Sequence, residues 1–237
     1  MYPLHYLPSG HVFIDPEDDC DKVVDALLES GYCEEFCLAR DFEEEFIRRL
    51  MEAGFLVMSM ELENHFFVLL PKLHLIRSVL FFPELHVKKS IRRFLPQYEL
   101  RVNTDLDLIL DKCVQVHDAA WLTPPLVEIL KRIHRTGGSL HASTVSFGVY
   151  RDGELRAGEI GVFMGRVYTS YSGYYEEDNA GTVQMILMVQ WLEKSGFDFL
   201  DFGMPMDYKT DLGARDILPA RFVELFRSAR KTCQPFG

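Results

Sequence analysis

Seven cations, Lys72, Arg77, Lys88, Lys89, Arg92, Arg93 and Arg101, crowd one short stretch of the chain, and only Glu84 and Glu99 oppose them. Lys88 and Arg92 are four apart, as are Lys89 and Arg93, which is the spacing of neighbours on one helix face. Like charges so placed cost a helix about 0.2–0.5 kcal/mol per pair. Such a face is either solvated or turned to an anionic partner, for which phosphate has the fitting chemistry. A second group is Tyr168, Tyr171, Tyr174 and Tyr175, on or just after one extended segment. A phenol can hydrogen-bond a substrate or stack on a base, or it can simply fill a half-buried sheet. Strand alternation predicts Tyr168 and Tyr174 on one face, Tyr171 and Tyr175 on the other. Glu176, Glu177 and Asp178 follow as an acidic turn, either solvated or lending negative charge to a nearby site.

The cysteines, Cys20, Cys33, Cys37, Cys113 and Cys233, are five, an odd number in a chain too large to need staples. Cys33 and Cys37 have helix spacing, but no two further ligands follow at short range, so reduced thiols and no metal site are expected. The net charge of −11 is uneven. Residues 1–64 hold 16 acids against 4 bases, whereas residues 65–237 hold 20 acids and 21 bases. The pI of 5.2 argues against non-specific nucleic-acid binding while leaving room for a local basic surface.

The elements that must position these groups can be read from periodicity. Residues 21–30 and 42–53 have helix-spaced apolar positions, the second with Asp41 as cap and Gly54 as stop. Residues 55–60 and 65–70 form a hairpin around Glu63-Asn64. An amphipathic helix is expected over residues 85–95, with Val87, Ile91, Phe94 and Leu95 on its apolar face. Thr104 caps a further helix, and Thr123-Pro124-Pro125 starts one that stops at Gly137-Gly138. Residues 143–150 and 154–163 make a hairpin, with Asp152-Gly153 as a type I′ turn. A third strand over 167–174, a helix over 182–194 apolar nearly all round, and a strand over 197–202 with Asp201 near its end complete the run. The expected fold class is α+β. It would be a GNAT-like acyltransferase domain with a mixed, largely antiparallel sheet and flanking helices (72–237), preceded by a smaller acidic N-terminal α/β segment (1–71). No window approaches 18 apolar residues and the start does not read as a secretory signal, so a cytoplasmic protein with no membrane span is expected.

Several segments resemble the leucyl/phenylalanyl-tRNA–protein transferases. Arg77-Ser78-Val79-Leu80, four residues, then Leu85-His86-Val87-Lys88-Lys89-Ser90-Ile91-Arg92-Arg93 is similar to that family's R-A-V-L, four residues, L-H-I-x-x-S-hydrophobic-K/R-R. Trp121-Leu122-Thr123 resembles its W-I-T, and Glu154-Leu155 with Gly158 and Gly161 its E-L-V-G-G-x-x-G. Asn179-Ala180 resembles the opening of N-A-S-K, Asp201 falls on the Asp of I-D-x-Q, and Leu212-Gly213-Ala214 with Ile217 and Arg221 resembles S-L-G-A-x-x-I-x-R. The matches are collinear over roughly residues 40–225.

The resemblance implies transfer of leucine or phenylalanine from an aminoacyl-tRNA to the N-terminal amine of a protein, with no cofactor beyond the aminoacyl-tRNA co-substrate. Its partners would be the aminoacyl-tRNA and a protein or peptide N-terminus, with the chain acting as a monomer. It makes Asp201 the catalytic residue, holding the amine. It places Trp121, Tyr168, Tyr171 and Gly203 at the aminoacyl pocket, and Arg77, Lys88, Lys89, Arg92 and Arg93 on the tRNA backbone. The chain departs from the pattern at several points. Tyr171 replaces the acidic residue of G-E-S, Gly203 the Gln after the Asp, and Tyr208 the His of N-D-H-T, while residues 55–71 lack the family's tryptophans. Two other readings stay open: a GNAT acyl-CoA N-acyltransferase, against which the acids at 176–178 would repel a pyrophosphate, and a non-catalytic binding protein on the same fold.

Overall fold

A computed structural model of the chain describes residues 2–116, 121–136 and 141–232. The expected helix stop at Gly137-Gly138 and the thiol of Cys233 lie outside the described residues. Two short strands, β1 (His5–Tyr6) and β2 (Val12–Phe13), precede helices α1 (Cys20–Ser30) and α2 (Glu44–Ala53). The hairpin expected next is β3 (Leu56–Leu62) and β4 (Phe66–Lys72), turning through Glu63–His65. Then come β5 (Arg77–Leu80), α3 (Lys89–Arg92), β6 (Glu99–Val102), α4 (Leu106–Val116) and α5 (Pro124–Thr136). The remainder is β7 (Ser143–Arg151), β8 (Glu154–Met164), β9 (Val167–Tyr175), α6 (Ala180–Lys194), β10 (Phe199–Gly203), α7 (Asp207–Asp211), β11 (Arg215–Ile217) and α8 (Pro219–Ala229).

Seven strands form one sheet in the order β11-β5-β10-β9-β8-β7-β6. Every pair is antiparallel except β9 and β10, so the sheet is mixed and largely antiparallel, as expected. The β7–β8 turn has φ of 54° at Asp152 and 82° at Gly153, the two positive angles a type I′ turn requires. From α4 onward the order helix, helix, three antiparallel strands, buried helix, strand is the one the periodicity predicts.

Each face of the sheet buries its own core. On one face Ile160, Val162, Val167, Tyr174 and Phe199 meet α4 and α5, and the same cluster continues into α1, α2, the β3–β4 hairpin and α8. On the other face Phe147, Phe163, Tyr168 and Leu200 meet the apolar side of α6, where Val183, Ile186, Val189 and Leu192 are almost fully buried. Each such side chain stabilises the packing by about 1.5–3 kcal/mol relative to leaving it exposed. Part of the surplus of acids near the N-terminus is taken up by the C-terminal helix: Arg227 bonds Asp25 (2.6 Å), and Arg230 bonds Asp21.

One expected element is not formed. The helix over 85–95 shrinks to α3, with a separate 3-10 turn at Leu95–Gln97. The cause lies on both sides. His86 N–H donates to the Leu212 carbonyl (2.9 Å), which holds 85–87 extended, and Pro96 cannot continue a helix. Ile91 is buried all the same, and Leu85, Val87, Phe94 and Leu95 pack at the edge of the same core, so the apolar pattern is satisfied without the helix.

Candidate functional site

Strand β9 has nine residues, yet only Val167–Thr169 pair with Phe199–Asp201 of β10. Beyond that point β9 stays with β8 through Tyr175, while β10 stays with β5 through a register shift to Gly203. The two parallel strands therefore splay, and the wedge between them opens into a cavity of about 800 Å³. Its walls come from β9, the start of α6, the segment from Phe202 to Lys209, the β3–β4 hairpin and Trp121.

The splay begins at a β-bulge. Ile160 faces Ser172 and Gly161 faces Ser170, so Tyr171 is an extra residue in β9. A one-residue insertion reverses the face of everything after it. Tyr168 and Tyr174 therefore do not share a face: Tyr168 lies in the α6-side core and Tyr174 in the opposite one. The simple alternation expected from the sequence fails at this residue for that reason.

Tyr171 and Trp121 both line the cavity. The Tyr171 hydroxyl accepts the Val57 N–H of the hairpin (3.2 Å), and burial pushes its phenol pKa well up. Trp121 is fixed through its carbonyl, which accepts from the Ser59 amide (3.0 Å) and hydroxyl (3.2 Å), and Ser59 in turn bonds Thr123 Oγ1 (2.7 Å). Tyr168 is elsewhere. It is fully buried, edge-on to Phe147, and its hydroxyl donates to Glu159 Oε1 (2.9 Å), so it stands behind the cavity wall instead of forming it.

Asp201 and Arg77 also depart from the roles assigned from sequence. Asp201 is fully buried and Arg77 nearly so. Arg77 Nε and Nη2 donate to the two carboxylate oxygens at 2.8 and 2.6 Å. Thr169 Oγ1 (3.0 Å) and Gly203 N–H (2.9 Å) supply the remaining donors. The Arg77 guanidinium stacks 4.1 Å over the Phe222 ring. A guanidinium so enclosed cannot meet a tRNA phosphate, and a carboxylate with four donors has no free position for a substrate amine in this arrangement. What the pair does fix is the end of β10. Gly203 has φ of 71°, held by its bond to Asp201, and a Cβ there would lie 3.2 Å from His74 Nε2. Gly203 thus sits behind the wall that its neighbours Phe202 and Met204 form.

Of the other basic residues, Lys89, Arg92 and Arg93 are exposed, while Lys88 is exposed and paired with Asp211 (2.5 Å). Lys89 and Arg92 lie in α3, Lys88 is its N-cap and Arg93 its C-cap, and the Arg92 N–H bonds the Lys88 carbonyl (3.3 Å), so the cations keep one turn of the longer helix expected. In the acidic turn, Glu176 pairs with Lys112 (2.5 Å) and Glu177 with Arg151 and Tyr98, which leaves Asp178 as the acid of that turn at the cavity.

Three titratable cavity residues carry no role in the sequence reading: His74, Glu159 and Lys209. His74 is 3% exposed with neither ring nitrogen bonded, and burial, reinforced by Arg77, Lys72 and Lys209, depresses its pKa to about 2. Lys209 is buried, donates to the carbonyls of Phe202 (2.7 Å) and Met204 (2.8 Å), and has its pKa lowered by burial to about 8. Glu159, buried on β8, has its pKa raised by desolvation. The sequence did carry one signal for Glu159, an acid inside the otherwise apolar run 157–163. His74 and Lys209 had none.

The family model described as leucyl/phenylalanyl-tRNA protein transferase matches residues 79–227. The leucyl/phenylalanyl-tRNA–protein transferase of Pseudomonas entomophila (strain L48) is 34% identical over 166 residues, covering 68% of this chain and 70% of the relative. That of Pseudomonas putida (strain W619) is 35% identical over 153 residues, covering 62% and 66%. Among solved structures, FemX aligns over 93% of this chain and 84% of its own, at 12% identity and a TM-score of 0.47.

Proposed function

We propose that this chain, which belongs to the leucyl/phenylalanyl-tRNA protein transferase family, moves an aminoacyl group from a leucyl- or phenylalanyl-tRNA to the N-terminal amine of a protein or peptide. One observation carries the reading. The matched residues 79–227 contain β8, β9, α6, β10 and α7, so the family's sequence builds most of the cavity that opens where β9 leaves β10.

The reaction is aminolysis of an ester. The amine nitrogen forms a bond to the ester carbonyl carbon, the bond from that carbon to the ribose oxygen breaks, and the ribose oxygen leaves with the proton the amine gives up. Holding amine and ester together in a water-poor cleft supplies much of the acceleration such a step needs. Trp121 and Tyr171, with Leu56 and Met58 beside them, form the apolar wall suited to a leucyl or phenylalanyl side chain. The Arg77–Asp201 pair acts as a positioning device, holding the chain turn after Asp201 so that Phe202 and Met204 face the cleft. Lys89, Arg92 and Arg93, with Lys88 at their side, form the surface offered to the tRNA backbone. The aminoacyl-tRNA is co-substrate, the step invokes no further cofactor, and the cytoplasm is where donor and acceptor meet.

Incubation with leucyl- or phenylalanyl-tRNA labelled on the amino acid, and with peptides starting with Arg, tests the reading. Label is expected to appear on the peptide N-terminus. No transfer from any charged tRNA to any peptide sinks it.

A further inference from the structure

Glu159 is the charged side chain of the cavity that ordinary packing explains least. It is 4% exposed, lies on β8 facing the α6 side, and lines the wedge beside Ser170 and Gln184. Its hydrogen-bonding neighbours are all neutral: Tyr168, whose hydroxyl donates to Oε1 (2.9 Å), Ser170 and Gln184. Among the described residues it has no ion-pair partner. The cation whose field reaches it, Lys209, gives two of its donors to the carbonyls of Phe202 and Met204. Its cross-strand neighbour is Gly173, which also lines the cavity, so no side chain on β9 lids the carboxyl from that position. A buried acid without a counterion is costly when ionised. Desolvation accordingly favours its neutral form, and a cation entering the cavity would reverse that preference.

The walls suit such a guest. Tyr175, Met185, Met206 and Tyr208 line the approach with apolar surface, on which a methylene stem can lie while its charged head reaches the floor. Tyr208 and Glu159 line the same cavity.

We propose that Glu159 is a specificity-determining residue that binds a cationic side chain, guanidinium or ammonium, on the first residue of the acceptor. The word acceptor rests on the transferase reading, but the recognition of a cation does not. Tyr171 stands on the bulge, where the sequence pattern calls for an acid, and its phenol is turned to the Val57 amide. The charge for a basic guest is instead supplied from the neighbouring strand β8.

The test is equilibrium binding of four peptides, identical but for a first residue of Arg, Lys, citrulline or norleucine, to wild type, Glu159→Gln and Glu159→Asp. Wild type binds the Arg and Lys peptides about ten- to a hundredfold tighter than the neutral pair, the range of a charge-assisted hydrogen bond. Glu159→Gln erases that difference, and Glu159→Asp keeps part of it. Equal binding of all four peptides by wild type, no measurable binding of the Arg and Lys peptides, or an undiminished preference in Glu159→Gln each overturns the proposal. The wild-type comparison needs no variant to fold, and binding is read without turnover. A failure to transfer label therefore counts against the reaction, not against the recognition of a cation.

Discussion

The guanidinium of Arg77 grips the carboxylate of Asp201 through two parallel N–H···O bonds, both residues shut away from water between the sheet and the ring of Phe222. The bond joins β5 to β10 where β10 leaves β9, so it anchors one wall of the cavity without touching what enters it.

Removing one charge of that pair should be expensive. Asp201→Asn leaves a buried guanidinium uncompensated, and the folded state should lose about 3–5 kcal/mol, read by urea denaturation. The double variant Arg77→Met with Asp201→Asn should be markedly less destabilised than the sum of the two singles. Additive losses would mean that the two groups do not act as a unit.

His74 should make stability fall in mild acid. Its folded pKa, depressed to about 2, lies far below the ordinary histidine value of about 6.5 expected in the unfolded chain. The unfolded state therefore binds the extra proton. The contribution is fully present above about pH 6.5 and is lost as pH falls from there toward 2, with a limiting slope of about 1.4 kcal/mol per pH unit. Denaturation of wild type and His74→Phe between pH 7 and 5 should diverge in slope, approaching that amount at the acid end; parallel curves would contradict it.

Tyr171→Phe removes the acceptor for the Val57 amide while keeping the ring on the cavity wall. The expected cost is about 1–3 kcal/mol of stability, if the amide stays buried and unpaired. Faster hydrogen exchange at Val57 is the specific signature, and an unchanged protection factor would count against this bond.

The basic surface predicts a salt effect. Changing Lys89, Arg92 and Arg93 together to Ala should weaken tRNA binding and flatten its dependence on salt, by about 0.7–0.9 in log–log slope for each phosphate left without its cation. These side chains are exposed, so the melting temperature should barely move. Unchanged binding would place the tRNA elsewhere.

Local signals carried far along this chain. The Asp152-Gly153 turn, the largely apolar α6 and the hairpin around Glu63-Asn64 each follow from a short-range rule, and each forms. What could not be read is what depends on distant partners. The apolar spacing of residues 85–95 predicts one helix, but the Leu212 carbonyl, more than a hundred residues away, claims the His86 amide and keeps the first residues of that stretch out of α3. Asp201 was legible as important and illegible in role, because nothing local says that Arg77 reaches it first. His74 and Lys209 gave no signal at all, since a lone buried base is recognised only by what surrounds it.

The bulge at Tyr171 has a consequence for which side chains this pocket receives. Residues of β9 before it are fixed by the core, Val167 on the α4 side and Tyr168 on the α6 side, and those after it answer to a shifted count. Gly173 and Tyr175 therefore lie on the α6 side beside the cavity, while Ser172 and Tyr174 are buried on the α4 side and Val167 to Thr169 stay paired with β10. Deleting a single residue here would turn the strand's last stretch inside out, handing Tyr174 to the α6 side and Tyr175 to the α4 side. One extra residue thus decides which side chains of the strand's last stretch meet the guest and which stay in the core.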